Sequence, residues 1–519
     1  MTIHARQADA KAAVENTDDR SGPVAEVSSL PPVAATAPLT PAEIRTMIGS
    51  LAVTMFLAAL DQTIVATALP TIGQQFHDVS NLSWVISAYL LASTAMAPVF
   101  GTLSDIYGRR AMIILSLSLF LAGSILCAVA PNLSVLILAR GLQGIGGGGI
   151  VPLVQTTVSD LVSPRERGRY QSYFSAVWVT AAVGGPVLGG IFAEHLHWSM
   201  IFWINLPLGL AALTMLLPKM RRMPTYHRPR KVDWVGGMLL MASVVVLMLV
   251  LTWGGTRLPW LSPTIASMIG AALLLAATFV WHAKRVEEPF LPLPLMGGRI
   301  VPFAMLTVGC GSGALVGLTV LLPLYYGPVY HLSASEAGIG LIPLVAATVP
   351  GASLAGWWMA HMKHYKRIAI LGTTSAAGAG LFLVIISPLP LWFLVTILSV
   401  QGLGLGTIFP VSVVSIQNSV ARSQIGTATG ALNFSRALFG SLSVTAFTTI
   451  LMMALGVQIA IDETQRGMIT SIPASDMAAA FRYVFAAATV LLAMASLSLF
   501  LMEERPLAGP VAKPAKLME

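Results

Sequence analysis

Fourteen separate runs of apolar residues, each long enough to cross a lipid bilayer, constrain this chain more than any other feature of its sequence. A spanning helix needs about 20 predominantly apolar residues. Such runs lie near 48–70, 83–103, 111–130, 134–158, 168–192, 200–218, 232–253, 263–283, 301–326, 335–360, 367–387, 390–415, 425–452 and 477–502. Hydrophobic residues make up 55% of the 519 and charged residues 10%, a balance that water could not solvate. The length therefore fits one bundle of spans rather than several soluble domains, and the expected fold is an all-α polytopic membrane protein.

The formal charge of +8 raises the question of a nucleic-acid partner, which the distribution of the thirty Lys and Arg answers. Eighteen fall in even-numbered loops: Arg109 and Arg110; Arg165, Arg167 and Arg169; six between Lys219 and Lys231; Lys284, Arg285 and Arg299; Lys363, Lys366 and Arg367; and Arg422. The odd-numbered loops hold only Arg257 and Arg466, with seven more in the tails and three inside spans. Cytoplasmic loops of membrane proteins carry such an excess, so both termini are expected in the cytoplasm of a cell-membrane (inner-membrane) protein. Trp84, Trp198, Trp253 and Trp260 all fall at the opposite, outer interface. The basic loops are read as topology determinants against anionic lipid, with no nucleic-acid partner.

Other chemistries are excluded in turn. Residues 1 to about 42 are rich in Ala, Pro and acidic residues and lack an apolar core, which predicts a disordered arm rather than a cleaved signal peptide. Thr40-Pro41-Ala42-Glu43 reads as an N-cap, a first-turn proline and a capping glutamate opening span 1. Cys127 and Cys310 both sit in apolar runs and are read as packing residues. No P-loop, HExxH or GxSxG motif occurs, and the GxGxxG match at Gly144–Gly149 lies inside an apolar helix, where it predicts close helix packing. His361 and His364 have no obvious carboxylate partner and are not expected to bind metal. The chain is not expected to be an enzyme.

A charge at hydrocarbon depth costs several kcal/mol unless it is paired or faces water, so each one marks a candidate site. Asp61 in span 1 and Arg140 in span 4 lie at roughly 14 and 10 Å from the outer face at 1.5 Å rise per residue, which brings them within reach in depth. Arg436 in span 13 is near the midplane. Burial disfavours an ionised Asp61 and a neighbouring Arg140 favours it. A carboxylate whose surroundings alternate in this way can load a proton on one side and release it on the other; ionised, it could also attract a cationic substrate. The alternative is a static Asp61–Arg140 ion pair that fixes packing. Arg436 divides between a structural role at helix-end carbonyls and a role in the pathway. Glu336 and Arg482 lie near outer span ends and are assigned no site role.

Several ordered motifs resemble the major facilitator superfamily, specifically its fourteen-span drug:proton antiporters of the EmrB/QacA type, from about residue 48 to 500. Span 1 carries Leu60-Asp61-Gln62-Thr63-Ile64-Val65-Ala66-Thr67-Ala68-Leu69-Pro70, with Ala66 where Asn is frequent. The resemblance implies that Asp61 takes part in proton coupling or substrate binding. The loop after span 2 reads Gly101-Thr102-Leu103-Ser104-Asp105-Ile106-Tyr107-Gly108-Arg109-Arg110, similar to the family's cytoplasmic signature. It implies a conformational latch, with Gly101 and Gly108 permitting a tight turn and close approach, and Asp105, Arg109 and Arg110 supplying breakable charges. Ile106 replaces the usual basic residue. Arg140-Gly141-Leu142-Gln143-Gly144 resembles the motif whose arginine is assigned to proton relay. Gly184-Gly185-Pro186-Val187-Leu188-Gly189-Gly190 in span 5 looks like the antiporter motif and implies export. There Gly185 and Gly189 clear one helix face, Pro186 removes a backbone donor, and Gly190 completes the run. In the second half, Gly356–Arg367 echoes the span 2–3 loop with Ala360 where Asp105 stands, and Asn433-Phe434-Ser435-Arg436 resembles a recurrent feature of span 13.

The resemblance implies the major facilitator fold: two six-helix halves about a central cavity, plus an extra pair of spans between them. The boundaries read from the sequence are a tail over 1–45, a first half over 46–218, a two-helix insert over 219–298, a second half over 299–503 and a tail over 504–519. The implied function is proton-coupled multidrug export of amphipathic or cationic compounds, with the proton gradient and no other cofactor. The expected partners are a small-molecule substrate and the bilayer; a periplasmic adaptor is left open. Alternatives are a dedicated exporter of a metabolite, siderophore or lipid, a proton symporter, and more distantly a non-transporting membrane sensor.

Overall fold

In lipid no water is available to satisfy a bare backbone N–H or C=O, so apolar runs of this length must close their hydrogen bonds internally as helices. The computed structural model describes residues 40–78, 81–220, 231–255, 257–456 and 472–507. These form fourteen apolar helices of spanning length: α1 Pro41–Phe76, α2 Trp84–Tyr107, α3 Arg109–Ala128, α4 Leu133–Leu161, α5 Pro164–His195, α6 Met200–Met220, α7 Trp234–Trp253, α8 Pro263–Ala283, α9 Val301–Tyr330, α10 Ser335–His361, α11 Lys366–Ile386, α12 Leu391–Ser419, α13 Arg422–Ala454 and α14 Ala474–Leu501. The described residues contain no β-strand. The two tails up to residue 39 and from 508, most of the 219–231 basic loop and Arg466 lie outside the described residues.

Helix starts follow the local sequence. Thr40 Oγ1 accepts from the Glu43 N–H, and the Glu43 carboxylate accepts from the Thr40 N–H at 2.9 Å, completing the expected capping box. Ser163 with Glu166 opens α5 in the same way, and Ser333 with Glu336 opens α10. Glu336 is therefore a helix cap. Two spans are stepped: α6 breaks at Ile204 between Met200–Trp203 and Asn205–Met220, and α10 breaks at Ala347.

The first six helices pack as one bundle, with α4 against α2 and α3, and α1 against α5 and α6. The last six pack as a second, with α9 against α13 and α14, α11 against α12 and α14, and α10 against α12. Glycines set the approach inside the first bundle. A methyl group added at Gly144 would come within 2.5 Å of the Tyr89 carbonyl, and one at Gly146 within 2.3 Å of the Phe120 nitrogen. The GxGxxG run is thus a helix-packing surface, as read from its apolar context.

α7 and α8 pair with each other, and α7 leans on both α2 and α13. Asp233 anchors this pair: it accepts from the N–H groups of Gly236 at 2.8 Å and Phe290 at 3.1 Å, and His282 Nε2 lies 2.8 Å away. Burial works against its charge, yet these partners hold its carboxyl below the usual range.

The two bundles meet along α2 with α13 and α5 with α10. Both closest approaches lie at the end that carries the basic loops, where Gly101 faces Gly426 and Gly168 faces Gly356. α1 and α9, which head the two bundles, do not pack along one another. The side-chain hydrogen bonds described between the two six-helix halves likewise gather from mid-span toward the basic end.

Candidate functional site

At hydrocarbon depth a carboxylate survives only if donors surround it, and Asp61 is surrounded. Arg140 Nη1 donates to its Oδ2 at 2.7 Å, and both side chains are almost wholly excluded from solvent, at 1% and 0% exposure. Gln143 Nε2 and Asn205 Nδ2 donate to Oδ1 at 2.8 and 3.0 Å. Arg140 is held in turn by the Val85 carbonyl at 3.0 Å and by Gln143 Oε1 at 2.7 Å, and its guanidinium carbon lies 4.3 Å from the Tyr89 ring centre. Asn205 also donates to Ser124 Oγ, which donates to the Phe202 carbonyl. Five helices, α1, α2, α3, α4 and α6, converge on one charge pair.

The sequence placed Asp61 and Arg140 at compatible depth, and the fold brings them into contact. Asn205 was missed. Its signal was an amide inside an apolar run two residues before Pro207, at the step in α6. Gln143 lay inside a motif already singled out, one helical turn from Arg140, where it can reach the same partner.

The antiporter-like run presses α5 onto this part of α1. A methyl at Gly185 would lie 2.0 Å from Thr63 Oγ1, and one at Gly189 would lie 2.1 Å from Thr67 Oγ1 and 2.5 Å from the Ile64 carbonyl. Thr63 donates across the contact to the Ala181 carbonyl at 2.8 Å. Gly190 has open space where its side chain would be, and Pro186 lies exposed within a continuous helix, so Gly185 and Gly189 alone make the close face.

At the basic end Asp105 reaches across the bundles. Its Oδ1 accepts from Arg109 Nη1 at 2.7 Å and from the Gly426 N–H at 2.9 Å; Oδ2 accepts from the Thr427 N–H at 2.7 Å and Oγ1 at 2.9 Å. A carboxylate at the first free N–H groups of a helix is stabilised by direct hydrogen bonds and by the helix dipole. Arg109 Nε also pairs with Asp160 of α4 at 3.1 Å. Gly108 sits at φ 87°, a conformation that favours glycine. Arg110 makes no hydrogen bond or ion pair among the described residues. Asp160, Gly426 and Thr427 were not foreseen, because pairing over 51 residues in the first case and more than 300 in the other two has no local sequence signal.

Arg436 lies elsewhere, half-buried on α13. Its guanidinium carbon is 4.6 Å from the centre of the Trp178 ring on α5 and 5.4 Å from that of Phe409 on α12. The histidine pair behaves as two separate residues: His361 Nδ1 donates to the Trp357 carbonyl at 2.8 Å, and His364 Nδ1 lies 3.2 Å from Glu504. The expected lack of a carboxylate near His364 is thus corrected by the C-terminal segment folding back. No cluster of three metal-ligating side chains occurs among the described residues. Arg482, assigned no site role, donates to the Ser387 carbonyl at 3.0 Å.

Two bundles of spanning helices with a buried charge pair in one and a charged clasp between them define a multi-pass membrane protein, and the family match makes it a transporter rather than an enzyme. Residues 51–444 match the Major Facilitator Superfamily, and the chain belongs to that family. It is 36% identical over 445 residues to "Efflux pump FUS6" of Gibberella moniliformis (strain M3125 / FGSC 7600), covering 84% of this chain and 78% of the relative. It is 31% identical over 407 residues to "Multidrug transporter protein MdtP" of Bacillus subtilis (strain 168), covering 78% and 75%. Among solved structures, a bacterial homologue of the iron transporter ferroportin in an outward-facing state aligns with a TM-score of 0.61 at 12% identity, over 88% of this chain and 98% of the other. At that identity the likeness speaks for the fold alone.

Proposed function

We propose that this chain exports amphipathic small molecules from the cell in exchange for protons, by alternating access, as one of the fourteen-span drug:proton antiporters of the EmrB/QacA type. The relatives named as an efflux pump and a multidrug transporter support export. The observation that carries proton coupling is the enclosed Asp61 carboxylate, balanced by one arginine and two amides. With the basic loops and both termini in the cytoplasm, the Asp105 clasp closes the inner end, and the arrangement is outward-facing.

The cycle then follows from charge. Asp61 is enclosed in this state, so a local opening that admits outer water delivers the proton; a neutral Asp61 no longer balances Arg140, and the α1–α4 contact loosens. Removing one partner of a buried pair costs about 3–5 kcal/mol. That is enough to redistribute two states whose difference is a few kcal/mol. The α5 face at Gly185 and Gly189 carries the shift of α1 to the interface with α10. Once the basic end opens, re-pairing with Arg140 expels the proton inward, and substrate enters the cavity. The proton gradient is the only energy source required.

The test is export from everted membrane vesicles with proton flux followed by a pH dye, comparing wild type with Asp61→Asn. The expected result is loss of proton-coupled export by at least about tenfold, from the cost of stranding Arg140. Undiminished coupling removes Asp61 from the mechanism, and substrate movement in the same direction as the proton identifies a symporter.

A further inference from the structure

Counting charges at hydrocarbon depth leaves one unbalanced. The described spans hold four charges well inside a helix: Asp61, Arg140, Arg436 and Arg482, the last of which donates to the Ser387 carbonyl. The first two cancel at 2.7 Å. Among the described residues Arg436 has no carboxylate partner and makes no hydrogen bond, and its ring contacts are Trp178 at 4.6 Å and Phe409 at 5.4 Å. Ring faces offset part of the cost of burying a cation, but they leave its five N–H donors without acceptors. A second donor waits beside it, since Trp178 Nε1 is buried with no acceptor.

The position of this cluster is as telling as its composition. Trp178 belongs to the first bundle and Arg436 and Phe409 to the second, so the guanidinium spans the interface between the moving halves. All three side chains are half-buried. One turn along α13 toward the basic end, Asn433 Nδ2 donates to Gln155 Oε1 of α4 at 2.8 Å, closing the floor beneath them. The result is a donor-rich cluster at the interface of the two bundles, flanked by two aromatic rings. Asp61 offers nothing to a cation here, because both of its oxygens are already engaged.

We infer that Arg436, Trp178 and Phe409 form a substrate subsite for the anionic group of an amphipathic organic anion, a carboxylate or sulfonate attached to an apolar or aromatic body. The inference deepens the transport reading and rests on it for its physiological meaning, but the binding it asserts can be measured without transport. The guanidinium supplies charge-assisted hydrogen bonds to the anion, and the rings receive the apolar body. Because the donors come from both bundles, an occupied site reports on their separation. The class recognised is therefore narrower than amphipaths in general, and opposite in sign to the cations that an open Asp61 would attract.

The experiment uses purified full-length protein and three matched triplets built on naphthalene, biphenyl and quinoline, each as carboxylate, primary carboxamide and aminomethyl cation. Affinity is measured by equilibrium binding for wild type, R436Q, R436K and W178F. The carboxylate is expected to bind at least about tenfold more tightly than its carboxamide, as a hydrogen-bonded charge pair implies. R436Q should abolish that preference while leaving carboxamide affinity within about twofold, which also reports an intact fold; R436K should retain most of it. W178F should lower affinity for carboxylates more than for carboxamides. Tighter binding of the cations, equal binding within triplets, binding by none, or an unchanged preference in R436Q would each overturn the proposal. A carboxylate preference that persists in D61N with proton coupling lost separates this site from the coupling site; retained coupling in D61N with the preference intact refutes only the latter.

Discussion

The two contacts that clamp the bundles at the basic end share a geometry and differ in chemistry. On one side Gly101 of α2 meets Gly426 of α13, and a methyl at Gly101 would lie 2.3 Å from the Gly426 carbonyl oxygen. On the other Gly356 of α10 meets Gly168 of α5, where a methyl would lie 2.6 Å from the Gly168 carbonyl oxygen. Asp105 follows Gly101 by four residues and binds two backbone N–H groups and a hydroxyl of the opposite bundle. Ala360 follows Gly356 by four and can bind none. The comparison separates two requirements: close approach needs a missing side chain, while a lock that can be opened needs a buried charge with partners on both sides. The first requirement is met in both places and the second in one.

This comparison can be broken experimentally. Gly101→Val should have the largest effect, because the obstructing atom is backbone carbonyl and cannot rotate away; overpacking of this kind costs about 1–3 kcal/mol or more. Export should fall by more than about tenfold. The distance between spin labels at the exposed positions Tyr107 and Ala421 should lengthen as the basic end opens; an unchanged distance would show that the glycine contact does not hold the clamp. Asp105→Asn should follow, losing charge-assisted bonds to Arg109 and to the start of α13 worth about 2 kcal/mol, or roughly thirtyfold in the open-to-closed equilibrium. The same label pair measures it, and a shift no larger than that of a distant surface variant would reduce Asp105 to a turn residue.

Gly356→Ala probes the uncharged side. Its clash is with backbone too, but no hydrogen bonds are lost with it, so export should fall only several-fold; a loss exceeding that of Asp105→Asn would invert the ranking. Arg110→Ala should change export by less than about twofold, since Arg110 has no partner among the described residues, whereas Arg109 joins Asp105 to Asp160. Equal losses in Arg109→Ala and Arg110→Ala would indicate that both act as topology determinants rather than that one closes the clasp.

The charges at hydrocarbon depth show how far a sequence can be read. Asp61 and Arg140 were recognisable because an ionised side chain in an apolar run is costly, and their depths matched. Their amide partners were not, because Gln143 and Asn205 carry no charge and an amide inside a span has many ways to be satisfied. Arg436 was visible, but its two roles remained open until its surroundings were known: no helix-end carbonyl receives it, and rings from both bundles flank it. The antiporter-like run was legible as a glycine-cleared face, but only the structure distinguishes Gly185 and Gly189, which face α1, from Gly190, whose side-chain position is open.

Helix ends show the same division. Hydropathy placed span 1 at 48–70, whereas α1 runs Pro41–Phe76, because helices continue past the hydrocarbon while the apolar signal stops at its edge. The capping sequence at Thr40 marked the true start. By itself the sequence determined that this chain lives in a membrane, how many times it can cross, which loops share a side and which few charges needed a reason to be buried. These are properties of residues against their solvent, and lipid enforces them locally. The tertiary structure alone decided which donors surround Asp61, which helix start Asp105 holds and why Arg436 stands unpaired. Those partners lie dozens to hundreds of residues apart, and only packing at glycine-cleared faces brings them within hydrogen-bonding distance.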